Sequence, residues 1–240
     1  MDTQREFDPN ISMDAPFIAN LMMDAIVDLS PAQQELLFQT KKEQTFTSLL
    51  TQVMQLKMDP VQFRTLVELK GFDYLAKDSS SAVSTKNRNT HDLGVLDSLA
   101  NLNLILENKV WYHFDGAKGS KVAKVEKNVR EQLKGDIFKL QHTAKHQAIS
   151  SSYILVTVVT PSRPENLPKS YRLAHESAIK RTKGDFNRYR NDGVLGFKSV
   201  FEKSHSDIGS ITHLHSDETL GVDGCGFLDV FCAEVLREKK

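Results

Sequence analysis

The stretch SYILVTVVTP, residues 152–161, is a near-continuous run of β-branched and apolar residues closed by a proline. Residues of this type fit a pleated strand whose two faces are both covered. The rest of the fold is read outward from it. Downstream, Pro161, Pro164 and Pro168 mark a turn. KSYRLAHESAIKRTKGDFNRYRN (169–191) then reads as one basic amphipathic helix. Asp192-Gly193 reads as a turn, VLGFKSVFEKS (194–204) as a second strand, Asp207-Ile208-Gly209 as another turn, and SITHLHS (210–216) as a third strand. Strand, helix, strand, hairpin turn, strand is the skeleton of a ferredoxin-like or RRM-like sheet. The closing segment GCGFLDVFCAEVLREKK (224–240) reads as a short amphipathic helix.

Upstream the pattern is helical. Phe17, Ile18, Leu21, Met22, Ala25, Ile26 and Leu29 recur at three- and four-residue steps, marking one buried stripe. Ser30-Pro31 combines an N-cap residue with proline at the first helical position. Leu36, Leu37, Phe46, Leu49, Leu50, Val53, Met54 and Leu56 continue the helical spacing. Asp59-Pro60 repeats the start signal and predicts a helix ending at Gly71. KDSSSAVSTKNRNTHD (77–92) is polar, serine-rich and aperiodic, the composition of a linker or loop. LGVLDSLANLNLILENKVWYHF (93–114) predicts a further helix of about four turns. A basic amphipathic helix follows, with Val122, Val125, Val129 and Leu133 on one side and Lys118, Lys121, Lys124, Lys127 and Arg130 on the other. The expected class is α+β: a helical N-terminal region, then a ferredoxin-like or RRM-like antiparallel sheet with packed helices. The expected division is a helical region at 1–76, a linker or loop at 77–92, a helical region with the basic helix at 93–149, and an α+β domain at 150–240.

Composition excludes several classes. No apolar run approaches the roughly 20 residues of a spanning helix. The start MDTQREFDPN has no apolar core of the kind a secretory leader carries. Cys225 and Cys232 are too few for a disulfide scaffold, so a reducing cytoplasm is expected. There is no phosphate-loop, GxSxG or HExxH pattern. The formal net charge is zero, yet residues 1–60 carry nine acidic against four basic side chains, and residues 116–149 carry eight basic against three acidic. Residues 169–203 carry nine basic against four acidic. Basic blocks in a neutral chain suit either a phosphate-bearing partner or a solvated helical face.

His213 and His215 flank Leu214, and an i, i+2 spacing puts both on one face of a strand. With the 152–161 strand, the basic helix, GVLGFKSVFEKS and the turn HSDIGS, this order resembles the nuclease core of rolling-circle plasmid and phage replication initiators. These are the HUH endonucleases, named for two histidines about a hydrophobic residue. The resemblance covers about residues 150–220. It implies a divalent metal, Mg²⁺ or Mn²⁺, held by His213, His215 and the acidic ligand it places at Glu202. The metal acts as a Lewis acid on the scissile phosphate. It implies DNA as partner, single-stranded or at an origin, with Lys180, Arg181, Arg188 and Arg190 the best-placed contacts to its phosphates; Lys121 and Lys124 on the upstream basic helix have the spacing of a helix laid along a phosphate backbone, and equally of a plain surface helix. It also implies a tyrosine nucleophile downstream of the histidines. No tyrosine follows Tyr189, so the expectation is a partial site, cut short before that step. Two other readings stay open. One is a single-strand-binding or regulatory protein without chemistry; the other is a protein-interaction module working through the N-terminal helices.

Overall fold

A computed structural model describes residues 12–40, 43–58, 61–70, 90–113, 123–146, 149–162, 167, 169–204, 206–217, 219–224 and 226–237. Three N-terminal helices pack on a six-stranded mixed, mostly antiparallel sheet that carries further helices. In chain order the elements are α1 (Ala15–Val27), α2 (Pro31–Thr40), α3 (Glu43–Lys57), β1 (Phe63–Lys70), β2 (Thr90–Asp97) and β3 (Leu102–Tyr112). They continue with α4 (Ala123–His146), β4 (Ser151–Pro161), α5 (Lys169–Arg181), α6 (Phe186–Glu202), β5 (Ile208–His215) and β6 (Gly226–Val235). The strand order is β1-β2-β3-β4-β6-β5.

The N-terminal helices follow their sequence signals. Asp14 caps α1 by accepting the Phe17 N–H at 2.9 Å. At the start of α2, Ser30 N–H donates to Gln33 Oε1 at 3.0 Å, one half of a capping box. The stripe of Ile18, Met22 and Ile26 is buried, together with Phe46, Leu50 and Met54 of α3, against one face of the sheet. The apolar face of these helices is therefore spent inside the protein. On the opposite face a second core joins Val129, Leu133, Ile137 and Leu140 of α4 to Ile154, Val156 and Val158 of β4 and Phe197 and Phe201 of α6. β4 is buried along nearly its whole length, as its composition predicts.

Five sequence expectations are corrected. The helix expected to run to Gly71 is replaced by β1, whose alternating FRTLVELK pairs with β2; Asp59, Pro60 and Gly71 lie outside the described residues. The helix expected over 93–114 is the hairpin of β2 and β3. Its turn is made by Asp97, whose Oδ1 accepts from Leu99 N and Asn101 N, with Ala100 at φ 62°. Such local bonds let Asp and Asn close a turn where apolar spacing alone suggested continuity.

The strand expected over 194–204 lies within α6. Asp185 caps that helix through Arg188 N, and Tyr189, Gly193, Phe197, Val200 and Phe201 bury one face at helical spacing. Gly193 serves close packing rather than a turn: a Cβ there would stand 2.8 Å from the His113 carbonyl oxygen. The single helix expected over 169–191 is consequently two, α5 and the start of α6, separated by a turn at Lys183-Gly184 with both residues at positive φ. Finally, the helix expected in 224–240 is β6, an interior strand paired on both sides. Burial of both its faces erases the alternation that identifies a half-exposed strand.

Two connections set the site. β3 and β4 are parallel neighbours joined through α4, a crossover rather than a hairpin. β6 lies between β4 and β5 and is antiparallel to both, a split β-α-β arrangement with α5 and α6 in the connection. Strands from residues 63–112 and from 151–235 thus belong to one sheet. Among the described residues no helix is long and apolar enough to cross a membrane.

Candidate functional site

His213 and His215 do share one face of β5, with ring centroids 6.1 Å apart. Their cross-strand partners on β6 are Phe231 and Asp229. The His213 ring lies flat on Phe231 at 4.2 Å, and its Nε2 stands 3.0 Å from Asp229 Oδ1. His215 Nε2 faces the exposed Asp217 at 3.3 Å. Glu202 ends α6 and is exposed, so the carboxylate on the strand beside the pair is Asp229. Among the described residues, no three His, Cys, Asp or Glu side chains stand in a preformed metal-holding group. Glu202, His213 and His215 accordingly do not fit a shared ion as the chain folds.

Of the expected phosphate contacts, Lys180 and Arg181 are exposed in the last turn of α5, and Arg188 is exposed in the first turn of α6. Arg190 turns inward instead. Its guanidinium covers the Phe227 ring at 4.2 Å, donates to Ser216 O at 3.3 Å and lies 3.6 Å from Asp229 Oδ2. Lys121 lies outside the described residues; Lys124 is on α4, and its side chain is not described. Tyr189 is buried on α6 with its hydroxyl hydrogen-bonded to His175 Nδ1, and burial pushes its phenol well above the ordinary range. Burial likewise pushes Tyr153 up to about 12.

The densest polar cluster lies elsewhere, where β2 and β3 meet α3 and α4. Glu107 and Lys109 alternate on β3 and so project to one face. Glu107 is 1% exposed. His91 Nδ1 stands 2.7 Å and Lys139 Nζ 2.5 Å from its Oε1. His91 Nε2 faces Thr143 Oγ1 at 2.9 Å, and the Thr143 hydroxyl donates to Lys139 O at 3.0 Å. His91 thus bridges Glu107 of β3 and Thr143 of α4. Lys109 Nζ lies 2.8 Å from Glu43 Oε1 of α3 and 3.5 Å from Asp136 Oδ2 of α4. Asp92 of β2 accepts the Asn108 N–H at 2.8 Å. The side chain of Asn108, between Glu107 and Lys109, donates to Thr47 Oγ1 one turn beyond Glu43. Its Oδ1 is buried without a hydrogen-bond partner.

Four carboxylates therefore crowd two lysines and a histidine, and the titration of the cluster reflects it. Burial raises Asp92 to about 6, helped by the charges of Glu107 and Glu43 and opposed by the Asn108 N–H and Lys109. Burial raises Asp136 to about 6 as well, with Lys109 pulling down and Glu107 pushing up. Burial would also raise Glu107, but the His91 hydrogen bond and Lys139 outweigh it and hold the carboxyl below its ordinary value. Burial would lower Lys109, yet Asp136 and Glu43 outweigh it and hold the ammonium firmly charged. Carboxylates raised by burial and like charge are relieved by a divalent cation, which prefers hard oxygen donors. Here too, however, no three of the described carboxylates stand as a group that could hold a metal ion; His91, Lys109 and Lys139 are their partners as the chain folds, and the Asn108 side chain faces Thr47.

Sequence reasoning missed this cluster. Its signal was Asp92 followed by Glu107-Asn108-Lys109, legible only once the segment is read as a hairpin. Comparison of the chain with protein-family models, with curated proteins and with solved structures finds no match in any of the three.

Proposed function

We propose that the chain is a divalent-cation-dependent nuclease that hydrolyses phosphodiester bonds in DNA at the cluster of Glu43, Asp92, Glu107 and Lys109. The observation that carries this reading is the convergence of Asp92 and Glu107 with Lys109 at the junction of the hairpin and two helices. Phosphodiester hydrolysis needs charge neutralised on the scissile phosphate, a positioned water, and a stabilised leaving oxygen. Asp92 and Glu107 would hold the cation once it displaced their present partners, with Glu43 at its margin. When bound, that cation polarises the phosphoryl oxygen and lowers the pKa of a bound water. Lys109 supplies a fixed positive charge for the phosphate as negative charge grows on it. Glu43 and Asp136 keep that ammonium charged and in place. Water oxygen bonds to phosphorus, the bond to the leaving oxygen breaks, and that oxygen gains a proton. The exposed Lys180, Arg181 and Arg188 offer contacts along the DNA backbone, and the setting is the cytoplasm.

A second reading keeps the HUH resemblance. In it the split unit of β4, β5 and β6 is a ferredoxin-like half, and the initiator-type site uses His213 and His215 with a metal. The supporting observation is that β6 sets Asp229 beside the histidine pair on the adjacent antiparallel strand. One experiment separates the two. Single- and double-stranded DNA oligonucleotides are incubated with the protein and Mn²⁺, and both free products and covalent protein–DNA adducts are read. The first reading expects cleavage without adduct, abolished by Asp92→Asn and Lys109→Met and untouched by His213→Ala/His215→Ala. The reverse pattern favours the second, and binding without cleavage rejects both as enzymes.

A further inference from the structure

Asp229 is a buried carboxylate on an otherwise apolar stretch of β6. The residues two places to either side of it, on the same face of this interior strand, are Phe227 and Phe231. An apolar side chain at 229 would serve the fold better, because a buried carboxylate gives up its hydration. Asp229 is 1% exposed, and its Oδ2 has no hydrogen-bond partner among the described residues. Its Oδ1 meets His213 Nε2 at 3.0 Å. A carboxylate only accepts, so His213 donates Nε2–H to it and carries its lone pair on Nδ1. The Phe231 ring, parallel to the imidazole to within 2°, fixes the plane of that ring. His213 is thus held in one tautomer and one orientation, the arrangement of a base aligned by a third group.

The surroundings supply the rest of an acid–base site. β5 is the edge of the sheet, and the side chains of His213 and His215 are 30% and 57% exposed, open to a polymer laid along that edge. With ring centroids 6.1 Å apart, each imidazole can reach a different oxygen of one phosphodiester. Arg190, seated over Phe227 and donating to Ser216 O, brings a guanidinium that neutralises charge growing on that phosphate. The adjacent hydroxyl, Ser216 Oγ, is buried and accepts the Leu228 N–H, so it is spent on the fold. A substrate that carries its own nucleophile suits such a site. RNA does, through the 2′-hydroxyl beside each phosphate, where attack is intramolecular.

We infer that His213, His215 and Arg190 form a further active site, which cleaves RNA by internal transesterification without a metal ion. It is independent of the cation-dependent reading and uses none of that cluster's residues. His213 Nδ1 takes the proton of the 2′-hydroxyl, O2′ bonds to phosphorus, the bond from phosphorus to O5′ breaks, and His215 gives O5′ a ring proton. The products are a 2′,3′-cyclic phosphate and a 5′-hydroxyl, and solvent returns the two imidazoles to their starting protonation. Asp229 is the positioning residue that sets the His213 tautomer.

The test incubates the full chain with a single-stranded RNA oligonucleotide in excess EDTA. Wild type is expected to release fragments ending in a 2′,3′-cyclic phosphate and to leave the all-deoxy strand whole. His213→Ala and His215→Ala are each expected to lower kcat about 100-fold while KM stays within about threefold. A substrate with sulfur in place of O5′ needs no acid at the leaving atom. It should return His215→Ala to within about tenfold of wild type and leave His213→Ala slow. Asp229→Asn should behave as His213→Ala does, with a fall in kcat that sulfur does not rescue. A merely structural role for Asp229 would impair both substrates and KM together.

RNA left intact in EDTA overturns the inference. So does cleavage that persists in both histidine variants purified in the same way, or that cuts the all-deoxy strand equally. Sulfur rescue of both histidine variants alike overturns it too, since no separate base and acid would remain. If Asp229→Asn does not melt as wild type does, the decision falls to the two histidine variants, whose side chains are partly exposed.

Discussion

Lys109 of β3 meets Glu43 of α3 at 2.8 Å, and this contact ties the edge of the N-terminal helical layer to the centre of the cluster. Lys109 also lies 3.5 Å from Asp136 on the crossover helix α4, so one ammonium links elements on both sides of the hairpin. Replacing it should act on fold and chemistry together. Lys109→Met is expected to lose cleavage and, at pH 7.5, to cost about 3 kcal/mol by leaving partly buried carboxylates uncompensated. The stability cost should shrink toward pH 5, because Asp136 takes up a proton near 6. Urea denaturation at the two pH values checks this; an equal cost at both would contradict it.

Asp92 carries the opposite sign. Its carboxyl is raised to about 6 in the folded chain, against about 3.9 unfolded, so the folded state binds more protons between those values. This group's contribution to stability therefore falls as pH rises from about 4 through about 6 and stays reduced above. Asp92→Asn keeps an oxygen to accept the Asn108 N–H while removing the charge. The variant should melt about 3 °C higher than wild type at pH 7.5, show no gain at pH 4.5, and be inactive. Thermal melts at both pH values with a cleavage assay decide it.

A divalent cation that binds the folded cluster must stabilise it by mass action. Millimolar Mg²⁺ or Mn²⁺ should raise the wild-type melting temperature by about 2–4 °C at pH 7.5. Glu107→Gln should abolish the rise, and His213→Ala/His215→Ala should retain it. Retention in Glu107→Gln with loss in the histidine variant would transfer the cation to β5.

Gly193 tests the packing of α6. A Cβ there would stand 2.8 Å from the His113 backbone oxygen and 2.9 Å from its Cβ, contacts that cannot be relieved by a side-chain rotation. Gly193→Ala should therefore destabilise by about 1–3 kcal/mol despite alanine's better helix propensity. Gly135, with nothing within 4 Å of its added Cβ, is the control, and Gly135→Ala on α4 should be neutral or stabilising.

What the sequence disclosed followed from how completely a segment's surroundings impress a period on it. The α1 stripe was plain because one side of the helix meets the core and Asn20 and Asp24 meet water. The β4 run was plain because eight consecutive β-branched or apolar positions, Tyr153 to Thr160, have few other uses. Residues 93–114 were misread because Leu104, Ile105 and Leu106 are all buried, giving no alternation. That one error also hid the site. At helical spacing Glu107 and Lys109 point roughly 200° apart; at strand spacing they share a face. α6 was misread because Asp192-Gly193 carries turn residues for a packing reason. The partners of Glu107 come from residues 16 upstream and 32 downstream, His91 and Lys139, a closeness created by tertiary folding.

The position of β6 bears on how the chain is made. This strand, 226–235, lies between β4 and β5 and packs beneath α1, whose junction with α2 is tied to the same region by Gln34 accepting the Gly221 N–H at 2.7 Å. During synthesis β4 leaves the ribosome about 70 residues before its neighbour on that side. Until then its apolar edge has no partner, and α1 has no floor. The emerging chain thus carries an unpaired apolar strand edge until β6 is made, and ribosome-bound chains arrested before residue 226 should be protease-sensitive throughout rather than half folded.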